Sequence, residues 1–185
     1  MTPTLTNTPV LETERLRLRA PVPGDFEAWA AYKTSPRARF TGGQQDRAAA
    51  WRGFCVEVGH WAVRGYGTFI VTRHGSDAAL GFVGPWFPEG WPGQEIGWIL
   101  FDAAHEGQGL AREAALAART HAYEVLGWPT AISLIDPENT ASEGLARRLG
   151  CVAEGMAELP GYGTARVWRH PAPDTLAEGG MEAYA

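Results

Sequence analysis

No run of roughly eighteen apolar residues occurs in the chain, and its first residues lack the basic-then-apolar layout of a secretory leader. Neither a membrane span nor export is expected, and a cytoplasmic location follows as the default. Cysteine is scarce: Cys55 and Cys151 lie far apart beside apolar neighbours, so the expectation is two buried thiols and no disulfide framework. C-x-x-C pairs and H-E-x-x-H spacing are missing, so no metal site is expected. Clustered lysine and arginine are missing as well, and a formal net charge of -5 argues against a nucleic-acid partner. A cationic substrate would tolerate this field, although a mildly acidic surface is ordinary for solubility.

What is present suits a single domain. The chain has 185 residues, 45% of them apolar, enough for one full core spanning about residues 11–170. Residues 1–9, rich in Thr and Pro, and residues 171–185, without periodicity, read as loose tails.

Arg15-Leu16-Arg17-Leu18-Arg19 alternates strictly and predicts a strand, ended by Pro21 and Pro23. Helical spacing follows in Phe26, Trp29, Ala30 and Lys33, then in Trp51, Phe54, Cys55, Val58 and Trp61. Gly67–Thr72 and Leu80–Phe87 are β-rich runs joined by the turn-prone His74-Gly75-Ser76-Asp77, and Glu95–Phe101 is a further strand. Leu110–Leu126 is a long amphipathic helix with Leu110, Ala114, Ala117, His121, Ala122 and Val125 near one face, stopped by Gly127. Thr130–Ile135 reads as a buried strand, Thr140–Leu149 as a helix ending at Gly150, and Cys151–Met156 and Ala165–His170 as closing strands. Three successive strands followed by alternating strand and helix describe a mixed sheet with helices on its faces, of class α/β or α+β.

The strongest chemical signal is Glu106-Gly107-Gln108-Gly109-Leu110-Ala111, where the strand Glu95–Phe101 runs into the long helix. Gly107 and Gly109 leave backbone amides unshielded. The first helical turn adds unpaired N–H groups and about half a positive charge, a setting for a pyrophosphate. Two glycines there are equally read as a tight strand-to-helix connection. A P-loop would need Gly-Lys-Ser/Thr and a dinucleotide fold would need G-x-G-x-x-G; neither is found.

This loop resembles that of the GNAT acyltransferases, R/Q-x-x-G-x-G/A between a strand and a long helix, in all but its first residue. Glu113-Ala114-Ala115, Leu126-Gly127, Asp136-Pro137-Glu138-Asn139, Ser142, Leu149-Gly150 and Glu154-Gly155 are similar to the branch that includes ribosomal-protein N-terminal acetyltransferases. The likeness spans about residues 11–168. It implies a mostly antiparallel central sheet with helices on both faces. Acetyl-CoA would be the cosubstrate, held by Glu106, Gly107, Gln108, Gly109, Leu110, Ala111 and Arg112. A backbone N–H near Leu100 or Phe101 would polarise the thioester carbonyl, and Asn139 would touch the pantetheine arm or the substrate. Two departures stand out. Glu106 replaces the usual Arg or Gln, and Ala146 occupies the place of a tyrosine that protonates the leaving thiolate in many members.

Amine acetylation needs a neutral nitrogen, a polarised carbonyl and a proton for the thiolate. Glu95 opens the strand on which the family places a water-linked base and is the first candidate; its alternative is a solvent-facing strand carboxylate. Asp102 and His105 come next. Asn139 begins a helix and equally serves as its cap. Ser142, three residues on and on the same side, is the candidate proton donor, with Tyr162 and Tyr123 behind it. The Trp86–Gly93 loop, with Pro85, Pro88 and Pro92, is the expected seat of specificity, and most of the eight tryptophans are expected in the core. The acceptor would be a small-molecule amine or a peptide N-terminus, and the protein a monomer or homodimer. The competing function is a non-catalytic acyl-CoA-binding sensor or assembly domain, which would keep the glycines without needing Glu95 or Ser142.

Overall fold

Leucine–arginine alternation sets the first long edge of the sheet: in β2 (Leu16–Arg19) both leucines are fully buried while Arg17 faces out. A two-residue β1 (Leu11–Glu12) lies beside it. In the computed structural model, residues 5–179 are described, and β3 (Phe69–Arg73), β4 (Gly81–Trp86), β5 (Glu95–Leu100), β6 (Ile132–Ile135), β7 (Val152–Leu159) and β8 (Gly163–Arg169) complete an eight-stranded sheet ordered β1-β2-β3-β4-β5-β6-β8-β7. Every adjacent pair is antiparallel except β5 and β6, which are parallel because α3 (Leu110–Glu124) crosses between them.

Strand alternation sorts the core onto two faces. Phe69, Val71, Val83 and Ile96 meet α3 and α4 (Thr140–Arg148) on one side. Ile70, Phe82 and Ile99 meet α1 (Phe26–Lys33) and α2 (Arg47–Arg64) on the other, in an aromatic cluster with Trp29, Phe54 and Phe101. Asp46 caps α2 by accepting the Ala49 N–H at 2.7 Å.

The faces of the helices agree only in part with those read in the sequence. On α2 the buried stripe runs through Ala50, Phe54 and Trp61, while Trp51 and Cys55 are exposed; of the two thiols, only Cys151 is buried, and both are free. On α3 the sheet takes up Ala114, Ala115, Ala118 and Ala122, and Val125 points to solvent. Alanines let the α3 backbone approach the sheet closely, so the small residues are the core contacts. The ends expected to be loose carry structure in their inner parts. Leu5 rests against the core and Pro173–Gly179 is a short helix, α5, while residues 1–4 and 180–185 lie outside the described residues.

Backbone pairing between β5 and β6 amounts to Glu95 opposite Ile132. Beyond it the Ser133 hydroxyl donates to the Ile96 carbonyl at 2.6 Å and sits 2.9 Å from His170 Nε2. A side chain thus bridges the strands where the ladder ends.

Candidate active site

Two cavities open along this split. The first, of about 910 Å³, runs from the β5–α3 turn to α4. Gly107 and Gly109 there have φ of +70° and +76°, conformations that L side chains rarely adopt. A Cβ at Gly107 would touch nothing within 4 Å, and one at Gly109 would meet only Arg15 Nη2 at 3.4 Å. The backbone is bare on this side, and α3 begins at Leu110 with its first-turn N–H groups facing it.

The turn is clamped from outside. Arg15 donates to the Gln108 carbonyl at 3.0 Å and to Glu113 at 2.6 Å, and Glu113 accepts from Thr13 at 2.6 Å. Gln108 turns away from the cleft: its amide donates to the Ala104 carbonyl, and its oxygen accepts from Arg73. Glu106 does line the cleft, but Arg37 answers its charge at 2.6 Å. The same guanidinium donates to the Leu100 and Phe101 carbonyls, each at 3.1 Å. Arg112 and Arg148 add positive charge to the walls.

Leu100 pairs with Gly81, and the Phe101 N–H donates to the Leu80 carbonyl at 2.9 Å. Alternation therefore turns the Leu100 backbone away from β4 and into the split. Phe101 is 8% exposed within the aromatic cluster and its N–H is taken, so of the two positions named for carbonyl polarisation only Leu100 is available. Leu100, Glu106, Gly107, Gly109, Leu110, Ala111, Arg112 and Asn139 line the cleft; Phe101 and Gln108 do not.

The second cavity, of about 570 Å³, adjoins the first. Trp98, Ile99, Asn139, Ser142 and Thr41 line both and mark their junction. Asn139 caps α4 by accepting the Ser142 N–H at 3.2 Å, so its structural and site roles coexist. Ser142 Oγ accepts from Trp98 Nε1 at 3.2 Å, leaving its hydroxyl hydrogen to donate. Ala146 is fully buried beneath. Tyr123, bonded to the Pro171 carbonyl, lies in neither cavity.

Glu95 is 8% exposed and lines the second cavity, not the solvent-facing side of its strand. Trp91 Nε1–H donates to Oε2 at 2.7 Å and the Leu134 N–H approaches Oε1 at 3.3 Å. Burial pushes its carboxyl up to about 7 against these two donors. Asp102 caps a short turn and is exposed, and His105 faces the first cavity only.

Sequence reasoning missed three neighbours of Glu95 in this cavity: Lys33, Gln45 and Glu57. Burial likewise pushes the Glu57 carboxyl up to about 7, with Glu95 adding to the rise and the Thr68 hydroxyl and Lys33 opposing it. Glu57 lies between Phe54 and Trp61 on the inner stripe of α2, and an acid on an apolar stripe was the signal available. Of the eight tryptophans, Trp29, Trp61, Trp128 and Trp168 are buried, whereas Trp86, Trp91 and Trp98 are half-buried walls of this cavity. The loop expected to confer specificity thus contributes Trp91, with Trp86 at its start.

The split mixed sheet thus carries a glycine-lined cleft on one side of the split and a buried carboxylate on the other, and the two cavities meet at one junction. Residues 15–152 match the family model for the acetyltransferase (GNAT) domain, and the chain belongs to that family. The acetyltransferase from Agrobacterium tumefaciens str. C58 is 32% identical, with a TM-score of 0.81 over 92% of this chain and 99% of that one. A Bordetella pertussis protein assigned to the GNAT family is 26% identical, with a TM-score of 0.72 over 88% of this chain and 99% of that one. RimL, the ribosomal L7/L12 alpha-N-protein acetyltransferase, solved in complex with coenzyme A, is 16% identical, with a TM-score of 0.67 over 89% of this chain and 98% of that one. At that identity the likeness is one of fold. GNAT acetyltransferases use acetyl-CoA as acyl donor. Among the described residues no helix is long and apolar enough to cross a membrane.

Proposed function

We propose that this protein acetylates a primary amine, which attacks acetyl-CoA directly in a ternary complex without an acyl-enzyme. The observation that carries the reading is Glu95, a buried carboxylate pushed up to about 7, facing the second cavity beside the junction with the anion cleft. The cofactor fits the first cavity by its chemistry. Bare glycine amides and the start of α3 suit the pyrophosphate, Arg112 and Arg148 suit the remaining phosphate, and Trp98, Asn139 and Ser142 flank the path of the thiol arm. Bound there, acetyl-CoA supplies the activated acyl group.

The rest falls to the chain's own residues. Glu95 takes a proton from the incoming ammonium, directly or through water, and its raised basicity shrinks the gap to the amine. Leu100 N–H is the donor turned into the split for the developing oxyanion. Ser142 hydroxyl donates toward the departing thiolate in place of the absent tyrosine. The acceptor is a small amine in preference to a folded protein's N-terminus, because loops meet across the second cavity. Tyr162 packs edge-on to Trp91 with ring centres 5.9 Å apart and crowds Gly42. Thiol release from acetyl-CoA, measured over a panel of amines and peptides, tests this: turnover with small amines is expected, and turnover with peptides alone would overturn the choice of acceptor.

A further inference from the structure

The chemistry above uses one carboxylate, yet the acceptor cavity holds two. Glu57 reaches into it from α2, its Oε2 accepting from the Thr68 hydroxyl at 2.5 Å. Neither Glu57 nor Glu95 has an ion-pair partner among the described residues; both are held only by neutral donors. Lys33, the nearby cation, is engaged elsewhere: its Nζ donates to the Thr41 carbonyl and lies over the Trp29 ring, 5.4 Å from the centre. A third acceptor, Gln45 Oε1, is buried in the same cavity without any partner. A buried acceptor without a donor is costly and uncommon, and beside two carboxylates answered by neutral donors alone it marks this aromatic-walled cavity as a site for cationic N–H donors.

The sheet fixes how far apart the two acids lie. Gly84 pairs with Gly97 across β4 and β5. A Cβ at Gly84 would touch Thr68 Cα at 3.3 Å, and one at Gly97 would lie 3.8 Å from Glu95 Oε1. Thr68, just before β3, Gly84 and Gly97 thus form a row across the sheet, with the Glu57 carboxylate bonded at its Thr68 end, Glu95 Oε1 reaching along β5 to its Gly97 end, and bare glycines between. Two interstrand spacings of about 4.8 Å give a span on the order of 10 Å.

We propose that the acceptor carries two amino groups, one acetylated beside Glu95 and the other held as an ammonium by Glu57 and Gln45. This deepens the reading of an amine acetyltransferase and rests on it. An extended chain advances about 3.6 Å per three bonds, so about three methylenes between the nitrogens bridge the span when two hydrogen bonds of about 2.8 Å lie along it, and up to about seven when they stand across it. An aliphatic α,ω-diamine, or a longer amine with that spacing, is the class of substrate.

The test compares kcat and KM for linear diamines of three to eight methylenes with the n-alkyl monoamines of equal length. It uses the parent, Glu57→Gln and Glu57→Asp, each first shown to bind CoA. The parent is expected to have a KM at least tenfold lower for its best diamine than for the matched monoamine. In Glu57→Gln that ratio falls toward one, and in Glu57→Asp the optimum moves to a diamine one methylene longer, a shift that a merely structural residue would not produce. Gln45→Leu, expected to reduce the same ratio, provides a second variant if Glu57→Gln fails to fold. Equal KM values for diamine and monoamine in the parent, or a ratio preserved in Glu57→Gln, would overturn the inference while leaving amine acetylation standing. No thiol release with any amine would overturn both.

Discussion

Replacing Glu95 by Gln keeps the size of the side chain and an oxygen for the Trp91 donor, and removes the basic oxygen alone. General-base contributions are typically about 10²- to 10⁴-fold, so kcat at neutral pH is expected to fall at least tenfold. The pH profile carries the sharper signature. With the carboxyl pushed up to about 7, roughly half of it is ionised at pH 7 and about one-tenth at pH 6. The acidic limb of kcat/KM in the parent should therefore bend near neutrality and not near the ordinary glutamate value. Glu57 is raised to the same range, with Glu95 adding to its rise and Lys33 opposing it, so the bend belongs to the pair of carboxylates and not to either alone. Glu95→Gln should flatten the bend and recover in part at high pH as free amine accumulates. Profiles of parent and variant that superimpose from about pH 6 to 10, with CoA binding intact in both, would refute the assignment of Glu95 as base.

Gly109→Glu places a charged side chain at a φ of +76° beside the bare amides and should weaken CoA binding at least tenfold, about 1.4 kcal/mol, by calorimetry, with Gly109→Ala isolating the backbone strain. Ser142→Ala should slow thiol release while leaving CoA affinity within about threefold, since its hydroxyl matters as the thiolate forms; unchanged turnover would move the donor role to Tyr162. Arg37→Met should weaken CoA binding by leaving Glu106 unanswered in the cleft, and adding Glu106→Gln should restore it; additive losses in the double variant would refute the pairing. Because the folded Glu95 is raised above its ordinary value, the folded state holds extra protons between about pH 4.5 and 7. Stability therefore falls as pH rises through that window. Glu95→Gln should accordingly raise the melting temperature at pH 8, by a gain of order 1–3 kcal/mol, and leave it unchanged at pH 4.

The fold was readable where pattern and element coincide. Leu16 and Leu18 against three arginines, the Asp46 cap, and the glycines before α3 each state their local structure in a few residues. The strand order and the β5–β6 split were not readable from pattern, because a ladder that ends after a single pair leaves no periodic trace; the family likeness implied a mostly antiparallel sheet but not its order. Helix faces were legible in part: Phe54, Trp61, Leu110, Ala114, His121 and Ala122 are buried as expected, whereas Trp51 and Val125 are exposed and Ala50, Ala115 and Ala118 are buried, because close approach favours small residues. In the site, Glu95, Asn139 and Ser142 were named through the family likeness, and the fold sets all three along the second cavity. Glu57, Gln45 and Arg37 come from α1–α2 country far upstream, and only the folded sheet brings them to the junction. Glu106 departs from the family loop; Arg37, 69 positions earlier, pairs with it while also donating to the carbonyls of Leu100 and Phe101.

The most direct test of the central claim is thiol release from acetyl-CoA with and without small amines, paired with mass measurement of the amine. An amine-dependent rate well above hydrolysis, with the amine heavier by one acetyl group, is the predicted result. Tight CoA binding with no amine-dependent release across the panel would contradict it and identify the protein as a non-catalytic acyl-CoA-binding domain.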